Sequence, residues 1–231
     1  MRTLLLVHGA WCGEWVFWRL APELARRGVP YQLTDLPSCR TGDATVDARD
    51  DAAYLRSRID AIDGPVVVAG KSYGGAVISG ACVGHPKVAH LVYIAALMPE
   101  AGEPIQSAIA GALTPAFAAG VRPLADGRIE MDAEIGARYA FAHASGEEQA
   151  TWRRERRPMS IGDRKLAFDR VAWQSIPSTY VVCAQDEAIL PAAQRDWARR
   201  ASTVFERAFD HSPGVSKPGE VAELLASIAG A

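Results

Sequence analysis

The chain contains the pattern G-x-S-x-G at Gly70-Lys71-Ser72-Tyr73-Gly74. The apolar run Val66–Ala69 precedes it, as expected for a buried strand, and Gly74–Ile78 has the small and apolar residues that open a helix. A sharp strand-to-helix turn strains the backbone of the serine and presents its hydroxyl at the end of the strand. The following helix directs N–H groups to the same place, which favours developing negative charge. The pattern therefore predicts Ser72 as a nucleophile.

A serine hydroxyl needs an imidazole that takes its proton and a carboxylate that orients the imidazole. Asp186 directly follows a late apolar run, and His211 follows the next one, about one helix and one strand later. The chain order Ser72, Asp186, His211 is the order expected for such a triad on an α/β sheet. These three residues are the predicted catalytic residues.

Two acidic neighbours compete with Asp186, which could itself cap a helix. Glu187 is adjacent to it, but Asp186 comes first after the strand end. Asp210 lies beside His211, and adjacent side chains seldom point the same way. Of the other histidines, His85 and His90 are expected to be structural. His143 could line a pocket, although packing is the commoner role of such a residue.

The run His8-Gly9-Ala10-Trp11 is a second signal of acyl-transfer chemistry. An oxyanion hole needs two preorganised N–H donors beside the developing charge. The N–H of Tyr73, next to the nucleophile, is one predicted donor, and the N–H of Ala10 is the other. Gly9 permits the close backbone approach that this requires.

The substrate pocket is expected beside this loop. Trp11 and Cys12 are predicted to line it, because they follow the oxyanion loop directly. Trp152, Phe141 and Trp173 are aromatic candidates from the middle of the chain, although core packing is the commoner use of such residues.

Short apolar runs alternate with helical patterns along the rest of the chain. The predicted strands are Leu4–Val7, Val29–Leu33, Val66–Ala69, Leu91–Ala96, Thr179–Ala184 and Val204–Ala208. The predicted helices are Trp15–Arg27, Asp47–Ile62, Gly74–Val83, Pro191–Ala201 and Glu220–Ala229. This alternation predicts an α/β fold with a mostly parallel, doubly wound sheet and helices on both faces.

One long stretch, 100–172, shows no convincing strand. It is predicted to be a mainly helical lid inserted into a core formed by 1–99 and 173–231, because insertions at the carboxyl ends of strands form lids and pockets. Its basic run Arg153–Arg157 is expected to be a solvated helix face rather than an anion site.

Composition excludes several classes of protein. The 231 residues are 49% hydrophobic and 23% charged with a net charge of −2, which is ordinary for a globular chain and disfavours nucleic-acid binding. No apolar run reaches the length of a membrane span. The four cysteines are scattered without a C-x-x-C pair, which disfavours a disulfide framework or a zinc site and indicates a reducing, cytoplasmic location.

Together these motifs resemble the α/β-hydrolases, and within them the small group of plant methyl-ester esterases, hydroxynitrile lyases and related bacterial hydrolases. The resemblance rests on His8-Gly9-Ala10-Trp11 with Gly13 and Trp15, Asp35-Leu36-Pro37, Gly70–Gly75, Asp186 and His211. It implies the α/β-hydrolase fold and spans nearly the whole chain. It specifies the fold far better than the substrate.

Two positions depart from this group. The residue before the nucleophile is often His there but is Lys71 here, and a cation at this position could favour an anionic ligand or pair with a carboxylate. In the hydroxynitrile lyases of the group, a Thr follows the first His and a Lys follows the catalytic His. Gly9 and Ser212 occupy those positions, which favours ester hydrolysis over lyase chemistry.

The expected function is hydrolysis of a small hydrophobic ester or lactone through an acyl-enzyme, without cofactor or metal. The expected partner is the small-molecule substrate, with no nucleic acid and no membrane span, in a monomer or homodimer. The alternatives are a thioesterase, C–C hydrolase or lyase reaction on the same triad, a scaffold in natural-product assembly, and a ligand receptor without turnover.

Overall fold

The six predicted strands form one parallel sheet in a computed structural model that describes residues 1–163 and 165–230. The described residues contain eight strands: β1 Thr3–Val7, β2 Tyr31–Leu33, β3 Val66–Lys71, β4 Val88–Ile94, β5 Val121–Pro123, β6 Ile129–Met131, β7 Ser178–Cys183 and β8 Thr203–Arg207. The large sheet has the order β2-β1-β3-β4-β7-β8, and all its neighbours are parallel. Its inner strands are almost fully buried, which explains why they read as continuous apolar runs.

Helices flank this sheet. The α-helices are α1 Leu20–Arg26, α2 Pro37–Arg40, α3 Ala48–Asp60, α4 Gly74–Ala81, α5 Ile105–Ile109, α6 Pro115–Ala118, α7 Ala133–Ala140, α8 Gly146–Glu155, α9 Pro191–Ala198, α10 Pro213–Ser216 and α11 Pro218–Gly230, with 3₁₀ turns at Glu14–Phe17 and Ala172–Gln174. Helix α3 packs on α4, and α1 packs on α11. The predicted α/β architecture is confirmed. No helix of the described ranges is both long and apolar enough to cross a bilayer.

The predicted helix Trp15–Arg27 is divided in two. A 3₁₀ turn, Glu14–Phe17, precedes α1, which begins at Leu20. Pro22 explains the break, because a proline has no N–H to donate to the carbonyl four residues earlier and its ring clashes with that carbonyl. The α-helix therefore starts late enough to place Pro22 in its first turn.

Segment 100–172 contains four helices, α5 to α8, joined by irregular stretches, and the expectation that it holds no strand was wrong. Strands β5 and β6 pair as an antiparallel hairpin. In the hairpin turn the N–H of Leu124 donates to the carbonyl of Arg128, and the N–H of Gly127, which adopts a φ of 90°, donates to the carbonyl of Leu124. Each strand has three residues, too few to display an alternating pattern.

The parallel register carries the loops after β1, β3, β7 and β8 to one edge of the sheet. Val7 pairs with Gly70, Ile94 pairs with both Lys71 and Val181, and the last residue of β7 pairs with the last residue of β8. Side chains that follow these strand ends therefore lie at the same edge, where ligands bind in open α/β sheets.

The turn after β3 places Ser72 in the left-handed region, with φ 55°. Its N–H donates to the carbonyl of Ile94, 3.2 Å away, and its carbonyl accepts from the N–H groups of Gly75 and Leu97, both at 3.0 Å. A non-glycine residue persists in this conformation only where its surroundings hold it. Both backbone groups of Ser72 are held in this way.

Close packing at this turn requires small residues. A Cβ placed on Gly74 would lie 2.7 Å from the carbonyl oxygens of Val7 and His8, and one on Gly70 would lie 2.6 Å from the carbonyl of Gly74. Helix α4 therefore begins in direct contact with the end of β1.

We expect Gly74→Ala to lower the free energy of unfolding by about 1–3 kcal/mol, the usual cost of overpacking, because its methyl group meets rigid backbone. Gly146→Ala is the matched control: Gly146 also opens a helix, and a Cβ there meets no atom within 4 Å. Chemical denaturation of both variants measures the difference. Equal stability of the two variants would contradict the packing account.

Candidate active site

His211 and Asp186 meet at the carboxyl edge of the sheet. The Nδ1 atom of His211 lies 2.7 Å from Oδ2 of Asp186, and both residues are at least 96% buried. A carboxylate accepts only, so Nδ1 carries the proton and donates it, which leaves Nε2 as the basic atom of the neutral ring. This is the tautomer that a general base requires.

The carboxylate of Asp186 is fully engaged by fixed donors. Oδ1 accepts from the N–H groups of Ala188 (2.7 Å) and Ile189 (2.8 Å), and Oδ2 also accepts from Nε2 of Gln194 at 2.7 Å. The side-chain carbonyl of Gln194 accepts from the N–H of Cys183 at 2.9 Å, which fixes the orientation of its amide. These hydrogen bonds stabilise the buried negative charge and prevent rotation of the carboxylate.

Neither acidic rival contacts His211 in this way. Glu187 is exposed, and its backbone carbonyl accepts from the hydroxyl of Thr114. Asp210 is buried, but its carboxylate binds other partners than His211: its oxygens accept from the N–H of His143 (3.1 Å) and from Ser216 Oγ (2.6 Å). The geometry therefore favours Asp186 over both neighbours.

Ser72 and His211 lie in adjacent loops but are not hydrogen-bonded to each other in the described chain. The ring of Phe117 lines the same pocket as Ser72, and its centroid is 6.3 Å from that of His211. Catalytic hydrogen bonds are often long before substrate binds and tighten in the complex.

Lys71 joins these two loops. Its Nζ donates to Ser212 Oγ at 2.9 Å and lies 5.6 Å from the ring centroid of Phe141. Within the described ranges no carboxylate lies within 4 Å of this ammonium group. The residue before Ser72 is thus hydrogen-bonded to the residue after His211. The two roles expected for Lys71, favouring an anionic ligand or pairing with a carboxylate, did not include this contact.

The loop after β1 approaches Ser72 closely. A Cβ on Gly9 would lie 2.9 Å from Cβ and 3.4 Å from Oγ of Ser72, so only glycine fits. The Nε2 atom of buried His8 accepts from the N–H of Leu36 (3.0 Å), and its Nδ1 donates to the carbonyl of Gly9 (2.8 Å). Since the two ends of a trans peptide point in opposite directions, the N–H of Ala10 is directed away from His8.

Tyr73 is anchored by a buried carboxylate that sequence analysis missed. Its hydroxyl donates to Oδ2 of Asp51 at 2.8 Å, and Asp51 also accepts from the N–H and the hydroxyl of Ser38. Burial raises the pKa of Asp51. A signal was available: Asp51 precedes Leu55 and Ile59 at four-residue spacing on the buried stripe of α3.

A mostly apolar pocket opens beside Ser72. Ala10, Trp11, Ser72 and Tyr73 line it, as do residues of segment 100–172, among them Ile105, Ile109, Leu113, Phe117, Val121 and Ile129. Cys12 is not among the described lining residues; its side chain is buried.

The other aromatic candidates lie elsewhere. Trp152 packs against Phe141, with ring centroids 5.1 Å apart, and donates to the carbonyl of Ala133. Trp173 donates to the carbonyl of Pro99. The lining aromatic residue of this segment is instead Phe117. The described residues contain no group of three or more His, Cys, Asp or Glu placed to hold a metal ion.

Burial lowers the pKa of His8 to about 4. The unfolded chain therefore binds a proton on this ring below about pH 6.5, while the folded protein resists it until about pH 4. The free energy of unfolding then falls as the pH is lowered through this window, by about 3 kcal/mol for this one group.

NMR titration of the His8 ring, assigned with His8→Gln, measures this pKa directly. The wild type should also lose more stability than His8→Gln between pH 7 and pH 4 in denaturant titrations. A His8 ring that becomes charged near pH 6.5 in the folded protein would contradict the account.

Comparisons with known proteins agree with this architecture. Norfluorocurarine synthase 2 from a Strychnos species is 26% identical over 98% of this chain and 95% of its own length. Methylesterase 7 from Arabidopsis thaliana is 25% identical over 99% of this chain and 96% of its own. The carbendazim hydrolyzing esterase of a Nocardioides strain is 29% identical over 52% of each chain.

Two solved structures share the fold. Polyneuridine aldehyde esterase superimposes with a TM-score of 0.87 at 22% identity, covering 99% of both chains. A pyrethroid hydrolase from Sphingobium faniae JZ-2 gives 0.85 at 23% identity, covering 100% of this chain and 98% of its own. The model of the alpha/beta hydrolase family matches residues 4–224. The chain therefore belongs to the alpha/beta hydrolase family.

Proposed function

We propose that the protein is a serine hydrolase that cleaves a small hydrophobic carboxylic ester or lactone through Ser72, His211 and Asp186. The observation that carries the proposal is the buried 2.7 Å hydrogen bond between His211 and Asp186, at the sheet edge where Ser72 is held in a strained turn. Relatives that are named esterases and a pyrethroid hydrolase support the same reaction class.

In the first half-reaction, Ser72 Oγ attacks the carbonyl carbon of the substrate while Nε2 of His211 takes the hydroxyl proton. Asp186 stabilises the imidazolium that forms and keeps its ring oriented. The N–H groups of Ala10 and Tyr73 stabilise the negative charge on the carbonyl oxygen. His211 then gives its proton to the leaving alcohol, which leaves an ester on Ser72.

In the second half-reaction, His211 takes a proton from water as the water attacks the acyl group. The tetrahedral intermediate forms at the same two N–H donors and collapses, and His211 returns the proton to Ser72 Oγ. The products are a carboxylic acid and the free enzyme. The reaction is balanced by water alone, and we propose that it uses neither cofactor nor metal.

The pocket supports an apolar substrate. Its lining is dominated by aliphatic and aromatic side chains, with Trp11 and Phe117 in edge-to-face contact at 6.1 Å. Burial of apolar surface would supply most of the binding free energy, at about 25 cal/mol per Å². We propose that Trp11 contacts the substrate; for Cys12 the structure offers a buried packing position.

We further propose that residues 100–172 form a lid over a core made of 1–99 and 173–231, since this segment supplies a large part of the pocket wall. A cytoplasmic location and a monomeric or homodimeric state remain part of the proposal. The four cysteines are buried free thiols, which fits a reducing compartment.

A panel of p-nitrophenyl esters, lactones, acyl thioesters and cyanohydrins tests the reaction class. Fast turnover of short hydrophobic esters supports the proposal. Preference for thioesters or cyanohydrins would replace it with another reaction on the same residues, and tight ligand binding without turnover would indicate a receptor.

Ser72→Ala should lower kcat on a hydrolysed ester by at least about 10³-fold, because the acyl-enzyme cannot form. A serine-directed phosphonate should label the wild type at Ser72 and fail to label this variant, as read by mass spectrometry. Ser227→Ala, at an exposed position on α11, is the control and should react normally. Full activity in Ser72→Ala would refute the mechanism.

Asp186→Asn should lower kcat by about 10⁴-fold, since an amide holds the imidazole in the wrong tautomer. Glu187→Gln is the matched control, because it makes the same chemical change at the adjacent, exposed carboxylate. Steady-state kinetics of the two variants assigns the acid. A larger loss in Glu187→Gln would transfer the role to that residue.

A further inference from the structure

The basic run Arg153–Arg157 is not one solvated helix face, because the side chain of its last residue contacts the core outside segment 100–172. Arg153 pairs with Glu134 at 2.8 Å, inside segment 100–172. Arg157 instead reaches the core: its Nη1 donates to both oxygens of Asp35, each at 2.9 Å. Asp35 follows β2 and lies beside the loop after β1.

The backbone of Arg157 contacts that same loop. Its N–H donates to the carbonyl of Trp11 at 2.9 Å. Trp11 has a φ of 60°, a conformation that an L-residue keeps only where its surroundings hold it. Arg157 therefore holds the end of the loop His8–Trp11.

The ion-pair partner of Arg157, Asp35, lies beside the start of this loop. Oδ1 of Asp35 lies 3.7 Å from Nε2 of His8, and the next residue, Leu36, donates its N–H to that nitrogen. His8 in turn donates to the carbonyl of Gly9. Arg157 thus fixes the carbonyl of Trp11 directly. The carbonyl of Gly9 is fixed by His8, whose ring is held by Leu36, the residue after Asp35.

We propose that Arg157 is a positioning residue for the oxyanion hole: with Asp35 it holds the loop that carries the N–H of Ala10. This inference rests on the proposed function, in which Ala10 is an oxyanion donor. It makes segment 100–172 part of the catalytic geometry as well as a wall of the pocket.

An ion pair with only a structural role would have a different effect on the kinetics from a positioning pair. The side chains of Arg157 and Asp35 are 37% and 20% exposed, and ion pairs exposed to this extent contribute little to stability. A merely structural pair would change the melting temperature and leave the rate of the folded enzyme unchanged. A positioning pair changes kcat with little change in KM, since the oxyanion forms only in the transition state.

The test compares Arg157→Met with Arg153→Met, which removes a guanidinium of the same run that is paired within segment 100–172. Arg157→Met should lower kcat about 10-fold or more while KM changes less than about 2-fold, because small displacements of a catalytic group have large effects on rate. Inactivation by a phosphonate, whose phosphoryl oxygen occupies the oxyanion site, should slow in parallel. Arg153→Met should match the wild type in both.

Asp35→Asn should show the same kinetic loss, and the double variant Arg157→Met with Asp35→Asn should be no slower than the worse single variant, as for two residues that act through one contact. Asp35→Asn also provides the comparison if Arg157→Met does not fold. Arg157→Lys should recover part of kcat.

Kinetics of Arg157→Met and Asp35→Asn that equal those of Arg153→Met, in an active wild type, would overturn this inference and leave the proposed function intact. A wild type that neither hydrolyses esters nor reacts with phosphonates would overturn both.

Discussion

The site depends on one backbone constraint, the left-handed conformation of Ser72 between β3 and α4. Three separate hydrogen bonds hold this strained residue: its N–H donates to β4, and its carbonyl accepts from α4 and from the chain that follows β4. Gly74 lets the turn pack against the end of β1, and Gly70 lets it pack against the start of α4; at both positions a Cβ would meet a backbone oxygen. The same packing brings Gly9 within contact of Ser72. A rigid sheet edge thus fixes the serine before any substrate arrives.

Two buried carboxylates, Asp186 and Asp51, lie near this serine and have different hydrogen-bond partners. Asp186 is satisfied by two backbone N–H groups and Gln194, and it directs its remaining interaction to His211. Asp51 accepts from the N–H and hydroxyl of Ser38 and binds the hydroxyl of Tyr73. Both carboxylates replace lost hydration with fixed donors, as buried charges require. One of them orients the proposed base, and the other fixes the residue that carries a proposed oxyanion donor.

The strand-to-helix turn at Ser72 and the positions of Asp186 and His211 after strand ends could be predicted because their signals are local: a strand, a tight turn and a residue type. Hydrogen-bond and ion-pair partners that come from distant parts of the chain could not be predicted. Gln194 and Asp51 lie on helices whose polar positions look like surface until the packing is known. Arg157 looked like one more charge in a solvated run because its partner, Asp35, is remote in sequence. The β5–β6 hairpin was missed because strands of three residues leave no periodicity.

The central claim is that Ser72, the Asp186–His211 pair and the loop at Ala10 act on one carbonyl group. A crystal structure of the protein after reaction with a phosphonate ester tests it most directly. The account predicts phosphorus bonded to Ser72 Oγ, the phosphoryl oxygen within hydrogen-bond distance of the N–H groups of Ala10 and Tyr73, and Nε2 of His211 facing the adduct. An adduct on another residue, or a phosphoryl oxygen turned away from both N–H groups, would contradict it.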